Sequence, residues 1–421
     1  MNINDILAGV DCACGRRHTC PIEAVEIGRG AISRLAALCE GYREILLVAD
    51  ENTDSAAGGA VRAALVGYTL REVIFPGKTV LVPNEEAVAR VREALGNADL
   101  ILGVGSGVVQ DLCKYVSHTS SVPYMIVGTA PSMDGYASSG AAMILGGMKE
   151  TVAAGLPRAL IFDTDVMAAA PMEMIRAGYG DIIGKYSALS DWRLSEAVNG
   201  EYLCPYIYDT TMAQIAAVRA TAEGLLRRDP AAIEALSEAL VVVGVMMSFA
   251  GSSRPASGSE HHLSHFFEIV GIVKDEPYLP HGIDVAFSTV EMAHLHERLL
   301  AAPFPKTLYR EEKGVLAEKL QTIYGETVGK GCLALGEKVG NYKANRLSVY
   351  LEKEDELRAI LADMPSAKEI EEMLAAVGLE KSEYDALYGR KKIDTAIRYA
   401  KDLKDRYTVL WLYYDLFGKE Q

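Results

Sequence analysis

The sequence predicts an α/β N-terminal domain, a doubly wound parallel sheet of Rossmann-like design, followed by an all-α C-terminal domain. Two observations support this prediction. The chain has 421 residues and is 50% hydrophobic, which suffices for two hydrophobic cores. Short apolar runs alternate with helical patterns up to about residue 165, and helical patterns dominate after it. We therefore expect domains at residues 1–165 and 166–421.

Five apolar runs carry the strand signal of the first domain. Between them lie segments such as residues 84–97, in which apolar residues recur at three- and four-residue spacing. Strands that alternate with helices in this way form βαβ units, and these require a parallel sheet. The runs are Glu44–Asp50, Tyr68–Pro76, Ala98–Gly107, Val122–Ser132 and Ala159–Met167.

The helical signal of the second domain is clearest after Asp229 and Pro230, which suit the N-cap and the first position of a helix. Apolar residues then recur on one helical face, which predicts a core helix. They are Ile233, Leu236, Leu240, Val243 and Met247.

Composition argues against two classes of partner. A net charge of −15 opposes binding to a nucleic-acid backbone. The most apolar run, Ala239–Met247, is shorter than the ~20 residues that span a bilayer. The first residues lack the basic and apolar regions of a signal peptide. We therefore expect a cytoplasmic protein without a membrane span.

Three of the seven cysteines, Cys12, Cys14 and Cys20, cluster beside His18. Cytoplasmic thiols stay reduced, so a disulfide framework is not expected. Two interpretations remain open, a bound zinc ion and a reduced segment without a metal. The spacing is tighter than in common zinc sites and favours the second.

Glycines follow the third predicted strand, at Gly103, Gly105 and Gly107. Exposed backbone N–H groups there, at the start of a helix, can bind a phosphate. The pattern falls short of the full dinucleotide fingerprint, so a tight turn that needs glycine for its conformation stays an alternative.

Two carboxylates follow other predicted strands. Asp50 ends the first strand at the sheet edge where α/β folds bind ligands, and it would accept hydrogen bonds from an adenosine ribose. Capping of the next helix is the alternative. Asp134 lies in a loop rich in small polar residues, where turn formation and function are equally supported.

Histidines supply the strongest chemical signal. In a helix, His261 and His265 share one face, whereas His262 points away and is the weaker candidate. His281 begins another helical pattern, and Asp181 offers a carboxylate. Imidazole and carboxylate ligands suit Zn²⁺ or Fe²⁺, and three protein ligands leave one position for a substrate oxygen. The set therefore favours a catalytic metal.

Five motifs resemble the superfamily of iron-dependent alcohol dehydrogenases, glycerol dehydrogenases and dehydroquinate synthases. Within it they are most similar to the sn-glycerol-1-phosphate dehydrogenase family, especially its bacterial members. The resemblance implies a dehydroquinate synthase-like fold. The motifs are GVGSGVVQDLCK (103–114), TAPSMDGYAS (129–138), GYGDIIGKYSALSDW (178–192), SGSEHHLSHFFE (257–268) and HG (281–282).

The same resemblance implies a role for each matching residue. Asp181 and His265 would be catalytic and, with Asp134, would bind substrate, while Asp181, His261 and His281 would bind the metal. Asp50 aligns with the acidic position that favours NAD. The pyrophosphate would lie on Gly103, Val104, Gly105, Ser106 and Gly107, and the nicotinamide half on Thr129, Ala130, Pro131, Ser132 and Ser138.

The implied reaction interconverts dihydroxyacetone phosphate and sn-glycerol 1-phosphate by hydride transfer. NAD is the expected cofactor, with NADP as the alternative, and Zn²⁺ the expected metal, with Ni²⁺ or Fe²⁺ as alternatives. A homodimer is implied as well. Lys185 and Arg254 are the candidate contacts for the substrate phosphate. Two other enzymes stay open, a glycerol dehydrogenase and a dehydroquinate synthase-type cyclase.

Overall fold

Ten strands occur in the structure, a computed structural model that describes residues 3–146 and 148–418. All five predicted strands are among them. Those missed by the prediction are two hairpins and one edge strand of the sheet. The strands are β1 (Val10–Asp11), β2 (Arg17–His18), β3 (Ala24–Gly28), β4 (Glu44–Asp50), β5 (Thr69–Phe75), β6 (Leu100–Gly105), β7 (Tyr124–Gly128), β8 (Gly140–Leu145), β9 (Met148–Ala153) and β10 (Ala159–Asp163).

Helices fill most of the remaining chain, and after β10 the described residues form helices and connections only. They are α1 (Ile3–Leu7), α2 (Leu35–Leu38), α3 (Glu51–Thr53), α4 (Gly59–Ala64), α5 (Glu85–Leu95), α6 (Gly107–Ser120), α7 (Thr164–Ala169), α8 (Met172–Asn199), α9 (Pro205–Arg219), α10 (Ala222–Leu226), α11 (Pro230–Ala250), α12 (Ser259–Lys274), α13 (His281–Ala301), α14 (Lys313–Val339), α15 (Leu347–Glu352), α16 (Glu354–Ala362), α17 (Ala367–Ala375), α18 (Lys381–Tyr399) and α19 (Val409–Phe417).

The central sheet is parallel and has the strand order β3-β10-β7-β6-β4-β5. The chain passes from β4 to one side (β5) and then to the other (β6), so the topological switch point lies between β4 and β6. Parallel α/β sheets bind ligands at the carboxyl ends of the strands at this point. The predicted doubly wound fold is therefore confirmed, and it marks one edge of the sheet for a ligand.

Hydrophobic cores cover both faces of this sheet. Successive side chains of a strand point to opposite faces. Accordingly, Ile45 and Leu47 belong to one buried cluster, while Leu46 and Val48 belong to the other. All four are fully buried, which is the expected state of a parallel sheet covered by helices on both sides.

The chain forms two compact units, one around this sheet and one of C-terminal helices. The sheet unit also includes α11, which packs on α7 and on the turn Asp134–Ala137. A side chain at Gly244 would lie 2.7 Å from the Cβ of Ala137, so glycine permits this contact. The predicted N-cap of α11 is confirmed, since Asp229 accepts a hydrogen bond from the N–H of Ala231.

By length and apolar composition, α11 is also the one helix of the described residues that can span a membrane. Its most apolar window is 78% buried within the protein, as in the core helix of a globular unit.

Candidate active site

The glycine-rich segment lies at the carboxyl ends of three neighbouring strands. Register pairs Val48 of β4 with Gly103 of β6, and Gly105 of β6 with Gly128 of β7. The N–H of Thr129 donates to the carbonyl of Gly105 at 3.1 Å. This brings three predicted cofactor segments, which end at Asp50, Gly107 and Ser138, to one edge of the sheet.

The glycines of this segment serve close packing rather than unusual backbone angles, since none has a positive φ. A side chain at Gly103 would lie 2.7 Å from Ile126, and one at Gly105 would lie 2.6 Å from Val109. Gly107, the first residue of α6, meets only the flexible side chain of Met133, at 3.4 Å. Glycine at the first position of α6 therefore leaves its backbone facing only the flexible Met133 side chain.

Asp50 caps the helix that follows β4. Its Oδ1 accepts from the N–H groups of Asn52 and Thr53 at 2.8 and 3.0 Å, and the Thr53 hydroxyl accepts from the N–H of Asp50. The capping role considered from sequence is therefore present. It fixes the carboxylate at the end of β4, beside the glycine segment.

The loop after β7 is fixed by buried polar contacts. Lys114, fully buried on α6, donates to the carbonyls of Gly135 (3.0 Å) and Gly140 (2.7 Å) and lies 3.4 Å from the Ser138 hydroxyl. Burial lowers the pKa of Lys114. The Tyr136 hydroxyl donates to the carbonyl of Ala130. Lys114 also lies 3.4 Å from Oδ1 of Asp111. Sequence reasoning missed Lys114, because the loop groups that it contacts lie more than twenty residues away.

Asp181 and Lys185 are among the completely buried side chains of α8. The N–H of Asp134 donates to Oδ2 of Asp181 at 3.0 Å. One turn earlier, α8 approaches the loop so closely that a side chain at Gly178 would overlap the carbonyl of Pro131. Glycine at 178 therefore sets how near Asp181 lies to the loop of Asp134.

Three of the candidate histidines lie close together. His261 and His265 lie one turn apart on α12, and His281 is the first residue of α13. Their ring centroids are 5.1 Å apart for His261 and His281, 5.6 Å for His265 and His281, and 6.1 Å for His261 and His265. His262, the weaker candidate from sequence, is fully buried, and burial lowers its pKa well below the usual value.

The predicted metal ligands are Asp181, His261 and His281. The ring centroids of His261 and His281 are 5.1 Å apart, and Asp181 is completely buried on α8. One carboxylate and two imidazoles are a donor set that Zn²⁺ and Fe²⁺ accept. The residues present therefore fit a divalent ion.

Glu260 supports His261 and was missed from sequence. Its Oε1 lies 2.6 Å from Nδ1 of His261 and accepts from the N–H of Gly258 at 2.8 Å. A carboxylate on Nδ1 leaves Nε2 of the imidazole for a metal. Burial raises the pKa of Glu260, and the charge of Lys185 opposes this shift. The signal in the sequence was a glutamate next to a candidate ligand.

The two candidate phosphate contacts each have a carboxylate nearby. Arg254 forms a two-pronged ion pair with Glu201, at 2.7 and 2.5 Å, and its side chain is 4% exposed. Lys185 lies close enough to Glu260 to affect its pKa. Both cations are thus at least partly balanced within the protein.

A family model described as iron-containing alcohol dehydrogenase matches residues 26–171. Among curated relatives, the glycerol-1-phosphate dehydrogenase [NAD(P)+] of Halalkalibacterium halodurans is 30% identical over 95% of this chain and 94% of its own length. The protein of the same name from Geobacillus thermodenitrificans is 30% identical over 89% and 88%. The protein of the same name from Methanosarcina acetivorans is 33% identical over 65% of this chain and 76% of its own length.

Solved structures share the fold at lower identity. A 1,3-propanediol oxidoreductase superposes with a TM-score of 0.62 at 17% identity, over 92% of this chain and 94% of that one. A sulfoacetaldehyde reductase from Bifidobacterium kashiwanohense, solved in complex with NAD+, gives 0.60 at 12% identity, over 94% and 97%. These similarities show the fold alone.

Proposed function

Because the chain belongs to the glycerol-1-phosphate dehydrogenase [NAD(P)+] family, we propose that it interconverts dihydroxyacetone phosphate and sn-glycerol 1-phosphate. In this proposal NAD(P) carries the hydride and a divalent metal is required. The observation that carries the proposal is the pair of His261 and His281, whose ring centroids lie 5.1 Å apart, with the buried carboxylate of Asp181 proposed as the third ligand. The phosphorylated substrate is inferred from the names of the relatives.

The dinucleotide fits the carboxyl edge of the sheet, at the switch point between β4 and β6. The pyrophosphate would be held by N–H groups of Gly103–Gly107 at the start of α6. The nicotinamide half would lie along Thr129–Ser132 and Ser138. The Asp50 carboxylate would accept hydrogen bonds from the ribose hydroxyls and would repel a 2′-phosphate. We therefore propose NAD rather than NADP as the cofactor.

The metal would be held by Asp181, His261 and His281, with Zn²⁺ proposed as the ion. When bound, the ion supplies positive charge to the substrate oxygen, and the nicotinamide supplies or accepts the hydride. Glu260 holds His261 in the orientation that leaves Nε2 for this ion. Of the two predicted domains, residues 1–165 would bind the cofactor, and residues 166–421 would bind the metal and the substrate.

The remaining side chains would orient the substrate and move its proton. His265, with its ring 5.6 Å from that of His281, would hold the substrate hydroxyls and exchange a proton with solvent. The backbone N–H of Asp134 donates a hydrogen bond to Asp181, and its carboxylate would accept a hydrogen bond from a substrate hydroxyl. Lys114 keeps the Asp134 loop in place through the carbonyls of Gly135 and Gly140.

A spectrophotometric assay tests this proposal. NADH consumption would be followed with dihydroxyacetone phosphate and, separately, with dihydroxyacetone, before and after removal of metal by a chelator and its restoration with Zn²⁺. We expect metal-dependent NADH oxidation with the phosphorylated ketone. Preference for dihydroxyacetone would identify a glycerol dehydrogenase instead. No oxidation with either ketone would contradict the proposal and favour a cyclase.

We also propose that the protein acts as a cytoplasmic homodimer. Light scattering on the purified protein should give twice the mass of one chain. A mass equal to one chain would contradict the dimer.

A further inference from the structure

Three basic side chains lie beside the start of α12, the helix that carries His261. Nζ of Lys404 is 3.3 Å from the Ser257 hydroxyl, and the Arg406 guanidinium donates to the Ser257 carbonyl at 2.7 Å. Both of these partners are neutral oxygen atoms. Burial lowers the pKa of Arg406, and the nearby charge of Arg254 lowers it further. Arg254, Lys404 and Arg406 together are called the basic cluster below.

The position of the basic cluster is fixed by Asp191 of α8. Its Oδ2 accepts from the N–H of Ser259, the first residue of α12, and its Oδ1 accepts from the N–H of Val409, the first residue of α19, both at 2.6 Å. Lys404 and Arg406 lie in the connection that leads into α19. One buried carboxylate therefore holds this connection against the start of α12.

A buried imidazole without a hydrogen-bond partner lies near the basic cluster. His262 is completely buried, and among the described residues neither of its ring nitrogens has a partner. Burial, and then the charges of Lys404, Arg406 and Arg254, lower its pKa, which places all three cations near the ring. An imidazole carries at least one N–H donor in either protonation state. Buried polar groups are normally hydrogen-bonded, so this ring and the cations beside it together indicate an anionic ligand.

Carboxylates near the basic cluster balance part of its charge. Glu201 forms the two-pronged ion pair with Arg254 and also accepts from the Ser195 hydroxyl at 2.5 Å. The charges of Asp405, Glu201 and Glu260 partly offset the shift of the Arg406 pKa. Arg254 thus has a charged partner within the protein, so the inference concerns the two cations of the C-terminal connection.

We propose that Lys404 and Arg406, together with His262, bind the phosphate group of the substrate. This inference rests on the proposed function. A phosphate monoester carries about two negative charges at neutral pH and takes charge-assisted hydrogen bonds from lysine and arginine. In dihydroxyacetone phosphate one carbon and one oxygen separate the phosphorus from the ketone carbon, so the phosphate and the ketone bind close together. The basic cluster meets this requirement, because Ser257 lies only four residues before His261, a proposed metal ligand.

The consequence is substrate specificity. Glycerol and dihydroxyacetone have no phosphate for these cations to bind, so Lys404 and Arg406 would favour a phosphorylated triose over both. The sequence motifs did not include either residue, because they lie about 140 residues after α12 begins and reach it only through the fold.

Phosphate binding tests the site without turnover. Inorganic phosphate would be titrated calorimetrically into the zinc-loaded protein saturated with NAD+, which fills the pyrophosphate position. We expect saturable binding that is about 10- to 100-fold weaker in Lys404→Met and in Arg406→Met, the usual effect of losing one charge-assisted hydrogen bond. Lys404→Arg should retain binding. Lys368→Met removes an exposed lysine of α17 and is the matched control, which should bind phosphate as the wild type does. Equal phosphate affinity in Lys404→Met and the wild type would overturn the proposal.

Steady-state kinetics distinguish this inference from the proposed function. Lys404→Met should raise KM for dihydroxyacetone phosphate about 10- to 100-fold and leave KM for NADH unchanged. If the wild type reduces this ketone and Lys404→Met has the same KM, the phosphate site is wrong and the proposed function stands. If the wild type does not reduce it, the proposed function fails, and the phosphate titration decides on the site by itself. Lys404 is half-buried beside solvent, so its variants supply the result even where Arg406→Met does not fold.

Discussion

Among single residues, Glu260 offers the sharpest test of how the histidine group is built. Glu260→Gln keeps the shape but removes the charge that faces Nδ1 of His261, 2.6 Å away. We expect the affinity for Zn²⁺ at this site to fall about 10- to 100-fold, the usual cost of losing such a partner. Competition with a chromogenic chelator measures it. Glu276→Gln, an exposed glutamate just after the same helix, is the control and should leave the affinity unchanged. If Glu260→Gln bound Zn²⁺ as tightly as the wild type, Glu260 would not support metal binding through His261.

His265 should affect turnover rather than metal content. Its ring lies beside those of His261 and His281 but outside the group of ligand atoms. We expect His265→Ala to keep its zinc and to lose about 10²- to 10⁴-fold in kcat, with a changed pH profile. His261→Ala should lose the metal itself. Normal kcat and KM in His265→Ala would end its assignment as a catalytic residue.

Asp191 makes stability depend on pH. Burial, with a further contribution from Glu260, raises the pKa of this carboxyl to about 7, and it accepts from the N–H groups of Ser259 and Val409 at 2.6 Å. The folded state therefore keeps a proton that the unfolded state has already lost. The free energy of unfolding should fall as pH rises from about 4 to about 7. Urea unfolding at several pH values should show a smaller fall for Asp191→Asn. If the free energy of unfolding fell equally with pH in the wild type and in Asp191→Asn, Asp191 would not cause the pH dependence.

The residues that sequence reasoning found and missed differ in where their partners lie. His261 and His265 could be paired from helical spacing alone. Lys114 could not be placed, because the carbonyls that it contacts, those of Gly135 and Gly140, lie more than twenty residues away. Its burial and these contacts become apparent only once the chain is folded.

At the scale of elements, the contact of α8 with the loop after β7 is the most demanding feature. A Cβ at Gly178 would overlap the backbone carbonyl of Pro131, which cannot turn aside as a side chain can. We expect Gly178→Ala to destabilise the protein by about 1–3 kcal/mol and to weaken NAD(P) binding. Thermal unfolding and cofactor titration measure these effects.

Gly331→Ala is the matched control for this prediction. It also places alanine in a helix, α14, but nothing lies within 4 Å of the added Cβ. Its stability should stay equal or rise by about 0.5–1 kcal/mol, because alanine favours helix. A Gly178→Ala variant as stable as Gly331→Ala would show that the loop moves aside freely.

A strand could be predicted from the sequence when its residues formed a continuous apolar run. The five predicted strands are buried in the sheet or paired along their length, and their runs of Ile, Leu and Val show it. β3 was missed because it is an edge strand whose side chains are mostly half-buried, so it lacks a continuous apolar run. The β8–β9 hairpin was missed because it pairs with itself outside the main sheet.

At the scale of the whole molecule, fold class and function followed from different signals. The alternation of strands and helices predicted the sheet, and its strand order then located the ligand edge. The boundary at residue 165 came from the end of the strand pattern. It could not show that α11, a helix far beyond it, packs in the sheet unit, because periodicity identifies a helix but not its partner.

The most direct test of the central claim is oxidation of enantiopure substrates. The zinc-loaded protein would be given NAD+ with sn-glycerol 1-phosphate, sn-glycerol 3-phosphate or glycerol, and NADH formation would be measured. The account predicts rapid NADH formation with sn-glycerol 1-phosphate alone, abolished in His261→Ala. Preference for glycerol or for sn-glycerol 3-phosphate would contradict it.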